Sequence, residues 1–200
     1  MSRLLLFCSL LFAYSQSSAA NNFSYTYLEF SVGALTLDEA IRINDRQYKT
    51  LSAFSISRAH QFDGGLVLHG GIAGAHAEKG KTELGYGQLV IGVAFPITVT
   101  DRIDIIPTSG FLAVNAEACV DNVCLKSDDD GILYGLAVRA WLSPESVEIM
   151  TALANSTISG SATEATLEGA FWWGNHHSAR LTLSSADSDR SVLVGYRYSW

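Results

Sequence analysis

Short segments that alternate apolar and polar residues recur along the whole chain, separated by Gly, Asp, Ser and Pro. No segment after residue 20 keeps the apolar period of 3.6 residues that an amphipathic helix requires. The pattern therefore predicts an all-β chain. Ten strands are expected, at residues 23–35, 48–60, 64–77, 83–97, 102–117, 131–142, 146–155, 163–173, 177–186 and 190–200.

The segments between these strands alternate in character. One set is polar and varies in length, at residues 36–47, 78–82, 118–130, 156–162 and 187–189. The other set consists of short turns, at residues 60–63, 98–101, 143–145 and 174–176. Barrels of the bacterial outer membrane have short periplasmic turns, longer external loops and an even strand count. We therefore expect a closed antiparallel up-and-down transmembrane β-barrel of ten strands, or of eight if 146–155 and 163–173 belong to longer loops.

Aromatic residues gather at the predicted turn-side ends of the strands, as expected for side chains at a membrane rim. All four tryptophans belong to this set. Its members are Phe23, Tyr25, Phe62, Phe95, Trp141, Phe171, Trp172, Trp173, Tyr198 and Trp200. The last strand has an apolar stripe that reaches the end of the sequence, formed by Val192, Val194, Tyr196, Tyr198 and Trp200. The alternation therefore predicts that this stripe faces lipid.

Single charged residues occur in the middle of several strands, on the face opposite the apolar one. They are Glu29, Arg139, Glu148, Glu168, Arg180 and Arg197. If the apolar face contacts lipid, these three acids and three bases lie inside a narrow lumen. Unpaired buried charge is costly, so we expect them to form a salt-bridge network. The resulting lumen would contain water but would not be an open pore.

The first twenty residues have the features of a secretory signal. Arg3 precedes an apolar run from Leu4 to Ala13, and small residues precede a cleavage site before Asn21. The expected organisation is a signal peptide at 1–20 and one barrel domain at 21–200. Removal of the signal peptide takes away Arg3 and changes the formal charge of the chain from −7 to −8, with 12 basic residues against 20 acidic ones. An acidic chain argues against nucleic acid as a partner.

Cys119 and Cys124 are separated by four residues in a segment that is predicted to be an external loop. In an oxidising compartment the first interpretation is a small loop disulfide. Free thiols are a second interpretation. Metal binding is a third, although the intervening residues offer only the carboxylate of Asp121.

Several segments resemble the small outer-membrane β-barrel proteins of gammaproteobacteria, barrels of the OmpA and OmpX kind, including those of xanthomonads and vibrios. The segments that carry the resemblance are 22–29, 88–93, 100–105, 129–139 and 194–200. It implies a multi-pass barrel with periplasmic termini, in contact with outer-membrane lipid and lipopolysaccharide. It also implies insertion by the barrel assembly machinery, with Tyr196, Tyr198 and Trp200 of the last strand as the assembly signal. The cysteine pair departs from the family pattern.

No residues are assigned to catalysis, to a cofactor or to a metal. His69 and His76 are interpreted as polar groups of the lumen, and a hydrolase would need His76 beside a serine or an aspartate. Asp121 and Asp128–Asp130 are interpreted as a solvated acidic loop, with a cation bridge to lipopolysaccharide phosphates as the alternative.

The favoured function is a monomeric, non-enzymatic structural or surface-interaction barrel. A narrow channel, a lipid-modifying enzyme and a soluble periplasmic β-sandwich are the alternatives.

Overall fold

The part of the chain that the structure describes contains eleven β-strands. The computed structural model describes residues 23–121 and 123–200, so the predicted signal peptide lies outside the described residues. The strands are β1 (Tyr27–Ile43), β2 (Arg46–Gln61), β3 (Val67–Lys79), β4 (Thr82–Ala94), β5 (Ile97–Thr100), β6 (Ile103–Val120), β7 (Val123–Ser143), β8 (Val147–Ser156), β9 (Glu164–Trp173), β10 (His177–Ala186) and β11 (Asp189–Ser199). In the described ranges no helix is long and apolar enough to cross a membrane.

Two strand pairings close the sheet into a barrel. The first strand pairs with the last, from Tyr27 opposite Ser199 to Thr36 opposite Arg190. Strand β4 pairs with β6, while the short β5 pairs only with β6 beside this junction. Ten strands therefore form the closed antiparallel wall, which confirms the predicted fold. The eight-strand alternative is wrong, because β8 and β9 are separate strands that pair with each other.

The two faces of the wall have opposite character. Outward side chains are aliphatic or aromatic and exposed, such as Leu136, Val194 and Ile91. Inward side chains include charged groups that are almost fully buried, such as Arg139 at 2% exposure. A soluble barrel would have the reverse distribution. The wall therefore has the surface of a barrel that crosses a bilayer, with every strand edge paired where it would meet hydrocarbon.

Two predicted loops are instead strand. Residues 36–47 belong mainly to the β1–β2 hairpin, which has an irregularity between Thr36 and Ile41. Residues 118–130 belong to a β6–β7 hairpin that stays paired to Val120 opposite Val123. The alternation signal fails here because neither face of these extensions is consistently apolar. The predicted turn at 98–101 was also wrong in part, since β5 includes residues 98–100.

A small apolar cluster joins the hairpins at the end of the barrel opposite the start of β1 and the end of β11, here called the hairpin end. Tyr48 is fully buried and packs with Leu51, Ala75 and Leu84. Its hydroxyl donates a hydrogen bond to the carbonyl oxygen of Thr82 at 2.7 Å. This cluster fixes the β1–β2 hairpin against the β3–β4 hairpin.

Strand β7 extends beyond its neighbour β8. The β7–β8 ladder ends where Leu133 lies opposite Ser156, and the Ile132 carbonyl accepts one further bond from the backbone of Thr157 at 3.0 Å. Residues 123–130 are paired with β6 on one side. No strand of the described chain covers their other side.

Close packing inside the barrel gives a first test. Gly92 and Gly110 lie opposite each other, and a Cβ on Gly110 would come within 2.6 Å of the Ile91 carbonyl oxygen. We expect Gly110→Val to destabilise the barrel by about 1–3 kcal/mol, because β4 and β6 must move apart. The fraction of protein that runs as the folded form on unheated gels measures this.

Gly169→Val is the matched control, since a Cβ at Gly169 would meet no atom within 4 Å. Equal folding of the two variants would contradict the packing described for Gly110.

Candidate functional site

Aromatic side chains close the end of the lumen where β1 begins and β11 ends, here called the terminal end. They form the aromatic plug, which consists of Phe23, Tyr25, Trp141 and Trp172. The Phe23 and Trp141 rings are stacked with centroids 5.3 Å apart, and Trp172 lies 6.1 Å from Trp141. Phe23, Tyr25 and Trp172 are buried. Their predicted place in the outward girdle was therefore wrong. Adjacent residues of a strand face opposite ways, so Trp172 is 7% exposed and Trp173 45%.

Other aromatic residues do face outward at the terminal end. Trp173 and Tyr196 lie 6.1 Å apart, and the Tyr196 hydroxyl is 2.6 Å from Nδ1 of His177. Tyr198 packs on Trp200 with centroids 6.0 Å apart. The three residues predicted as an assembly signal are therefore on the outer surface, beside the seam with β1.

A buried charge network lies next to the plug. It contains four carboxylates and three guanidinium groups, all buried: Glu29, Asp104, Glu148, Glu168, Arg139, Arg180 and Arg197. Its members come from seven of the barrel strands, and none is adjacent to another in sequence. The structure thus brings together all six charged residues predicted for the lumen.

Arg180 joins the acids of this network. Its guanidinium contacts the Glu168 carboxylate directly and lies 3.3 Å from Glu29 and 4.0 Å from Glu148. Arg197 forms a second ion pair with Glu29 at 2.6 Å. One cation therefore links carboxylates from three different strands, which holds the inner surfaces of β1, β8 and β9 together.

The network also continues into the plug. Arg139 pairs with Glu148 at 2.7 Å, and the indole nitrogen of Trp172 donates to the same carboxylate at 3.1 Å. The Tyr25 hydroxyl donates to Asp104 at 2.7 Å. Asp104 was missed by the sequence analysis, although its position between Ile103 and Ile105 gives the same alternation that identified the other charges.

Little space remains beyond the network. A cavity of about 210 Å³ lies above it, lined by residues that include His69, Ile106, Met150 and Arg197. His69 faces the lumen, and its Nε2 lies 2.9 Å from the position that a Cβ on Gly92 would take. Packed charges and aromatic rings therefore occupy the terminal half of the lumen.

His76 does not face the lumen, which corrects its predicted place. It is exposed on the outward face of β3 and lies directly opposite Ser52 of β2. The two side chains form no hydrogen bond. The geometry therefore does not provide the paired nucleophile and base that a hydrolase requires.

The tip of the β6–β7 hairpin carries the cysteine pair. Cys119 and Cys124 lie directly opposite each other and form a disulfide. Lys126 makes a cross-strand ion pair with Glu117 at 3.0 Å. Both sulfur atoms are used in the disulfide, so the nearby cluster of Glu117, Cys119 and Cys124 has no thiolate to offer a metal.

The fold and the lumen together define the class as a membrane β-barrel whose lumen holds buried charged and aromatic side chains. No protein-family model matches the chain, and no curated protein matches it. An outer-membrane channel from Pseudomonas putida F1 aligns with a TM-score of 0.49 and 7% sequence identity, covering 93% of this chain and 100% of that chain. Ail, the attachment invasion locus protein of Yersinia pestis, aligns at 0.43 and 12% identity, with coverages of 86% and 99%.

Neisserial surface protein A aligns with a TM-score of 0.40 and 9% identity, covering 88% of this chain and 98% of that chain. The identities and TM-scores are too low for any property of these three proteins to be assigned to the present chain.

The charge network predicts a large effect at Arg180. We expect Arg180→Met to destabilise the barrel by about 3–5 kcal/mol, because the substitution leaves buried carboxylates without their cation. Urea unfolding in lipid vesicles, followed by tryptophan fluorescence, measures this free energy. Arg46→Met is the control, because the Arg46 side chain is 54% exposed in its ion pair with Asp45. A similar free energy of unfolding for the two variants would show that the network contributes little.

The disulfide predicts a local effect. We expect the double variant Cys119→Ser and Cys124→Ser to keep the barrel folded but to be cut faster by protease at the hairpin tip. The wall is held by long-range strand pairing, whereas the disulfide joins two cysteines that are only 5 positions apart in sequence. Limited proteolysis of intact cells, with mass analysis of the fragments, tests this. Loss of the folded form on unheated gels would instead assign the disulfide a role in barrel stability.

Proposed function

We propose that this protein is an integral barrel of the Gram-negative outer membrane that acts as a sealed, non-enzymatic scaffold and presents its hairpins at the cell surface. The observation that carries the proposal is the combination of an apolar outer wall with a lumen whose terminal half is packed with charged and aromatic side chains. A wall of this kind is stable only in a bilayer, and a lumen of this kind does not provide a path for solutes.

The orientation is inferred from how far the hairpins project. The β1–β2 hairpin continues beyond the β1–β11 ladder, which ends at Thr36, and the β6–β7 hairpin continues beyond the β7–β8 ladder, which ends at Leu133. These two hairpins would lie outside the cell, and the termini and the turns at the opposite end would lie in the periplasm. In this arrangement the disulfide forms in an oxidising compartment. Outer-membrane lipid and lipopolysaccharide would surround the wall. The barrel assembly machinery would bind the last strand, and the barrel would function as a monomer.

Gel mobility and conductance test the proposal. We expect the protein from isolated outer membranes to migrate differently when boiled and unboiled, because a closed barrel resists detergent until it is heated. We expect the purified barrel to give no steady current steps in a planar bilayer, because the plug and the charge network occlude the terminal half of the lumen. A general porin in the same bilayer is the positive control.

The two measurements separate the alternatives. Recovery as a soluble periplasmic protein without a mobility shift would overturn the membrane assignment. A mobility shift together with steady current would overturn the sealed lumen and favour the narrow channel.

A further inference from the structure

A groove of about 630 Å³ lies on the outward face of strands β2, β3 and β4, toward the terminal end. Gly70 of β3 lies in the middle of it, directly opposite Arg58 of β2 on one side and Ile91 of β4 on the other. All three residues line the groove. The other outward side chains of the lining include Ile56, His60, Leu68, Ile72 and Leu89.

The groove is open because no side chain of β2 covers Gly70. The next outward glycine but one residue, Gly74, is covered by the Phe54 ring, which lies 2.8 Å from the position of a Cβ on Gly74. The atoms nearest to a Cβ on Gly70 all belong to β4, and the closest is the Val90 carbonyl oxygen at 3.1 Å. The hollow beside β2 is therefore free for an acyl chain.

Arg58 is directed away from this hollow and toward the terminal end. Its guanidinium carbon lies 5.7 Å from the centroid of the Trp200 ring. Trp200 follows the last residue of β11, and its backbone N–H donates to the Thr26 carbonyl oxygen just before β1 at 3.3 Å. A basic side chain on a lipid-facing wall extends its charged group to the headgroup region, while its methylene groups remain in hydrocarbon. The cation is therefore at headgroup depth.

The order of residues along the β2–β3 ladder suits a phospholipid. From the terminal end toward the hairpin end, the outward pairs are His60 with Leu68, Arg58 with Gly70, and Ile56 with Ile72. Groups that can donate hydrogen bonds to a headgroup thus come first, and an aliphatic pair lies deeper in the membrane. In the proposed orientation the terminal end is periplasmic, so the groove would face the leaflet of phospholipid and not that of lipopolysaccharide.

The protein does not compensate the charge of Arg58. This residue forms no ion pair within the described chain. No acidic side chain of the described residues lines the groove. A guanidinium can donate to two oxygen atoms of one phosphate. A net anionic headgroup would therefore bind more strongly than a zwitterionic one, whose ammonium group offsets the charge of its phosphate.

We propose that this groove binds an anionic glycerophospholipid, with its phosphate at Arg58 and one acyl chain over Gly70. The proposal rests on the membrane barrel of the proposed function. The volume lies within the range of about 300–1,000 Å³ that is usual for ligand sites. Phosphatidylglycerol is a lipid of this class, and phosphatidylethanolamine is the zwitterionic lipid with matched chains.

Native mass spectrometry of the barrel, released from nanodiscs that contain equal amounts of the two lipids, tests the headgroup. We expect the wild type to retain phosphatidylglycerol about fivefold more than phosphatidylethanolamine. Arg58→Gln should abolish this preference, because the amide side chain carries no charge. Arg190→Gln is the control, as an exposed arginine of β11 near the hairpin end.

A second variant tests the acyl chain separately. Gly70→Leu should retain both lipids about tenfold less, because its side chain fills space equivalent to about two methylene groups of the acyl chain. Gly169→Leu is the control, as an outward glycine of β9 whose Cβ would meet no atom within 4 Å. The mobility shift on unheated gels verifies that each variant is folded.

Three results would overturn the site. They are no preference in the wild type, the same loss of preference in Arg58→Gln and Arg190→Gln, or equal lipid retention in folded Gly70→Leu and Gly169→Leu. The Arg58 variant decides the matter even if Gly70→Leu does not fold, because the Arg58 side chain is exposed. Failure of the barrel assignment itself would appear differently, as a wild type without a heat-dependent mobility shift.

Discussion

Closure of the sheet is the constraint on which the rest of the structure depends. A strand edge in hydrocarbon has no water to satisfy its amide and carbonyl groups, so the first and last strands must pair. The β1–β11 ladder meets this requirement over Tyr27–Thr36. Once the wall is closed, side-chain alternation leaves each residue either in lipid or in the lumen. The exposed aliphatic band and the buried charges therefore both result from closure of the sheet.

Closure also explains why the charges lie together. Ten strands enclose a narrow space, and inward residues from distant parts of the sequence meet there. Arg180 and Glu29 are far apart in sequence but 3.3 Å apart across the lumen. In this space each ion pair replaces water that would otherwise solvate the two groups. Tyr25 and Trp172 extend the network with hydrogen bonds, which links the charges to the aromatic plug.

The sequence predicts those features that depend on alternation alone. Strand number and the inward position of charged residues such as Arg139, Glu148 and Arg180 followed from period-two patterning, whereas closure was predicted from the alternating character of the connections, the aromatic residues at the strand ends and the apolar stripe of the last strand. Contacts between strands did not follow, because register decides which inward residue meets which. The inward position of Phe23 and Tyr25 was missed although both alternate in step with the inward Glu29, because every aromatic residue near a turn-side strand end was assigned to the girdle.

The uncovered side of β7 has a consequence for how neighbouring molecules behave. An unpaired strand edge is a template on which another chain can add a strand, and a crowded membrane surface increases the chance of such contacts. Here that edge carries Asp128, Asp129 and Asp130 in succession. Their side chains repel the same segment of a second copy, and the Asp129 carboxylate accepts the Asp130 backbone N–H at 2.8 Å. The acidic run thus protects the barrel from edge-to-edge aggregation while leaving the hairpin accessible.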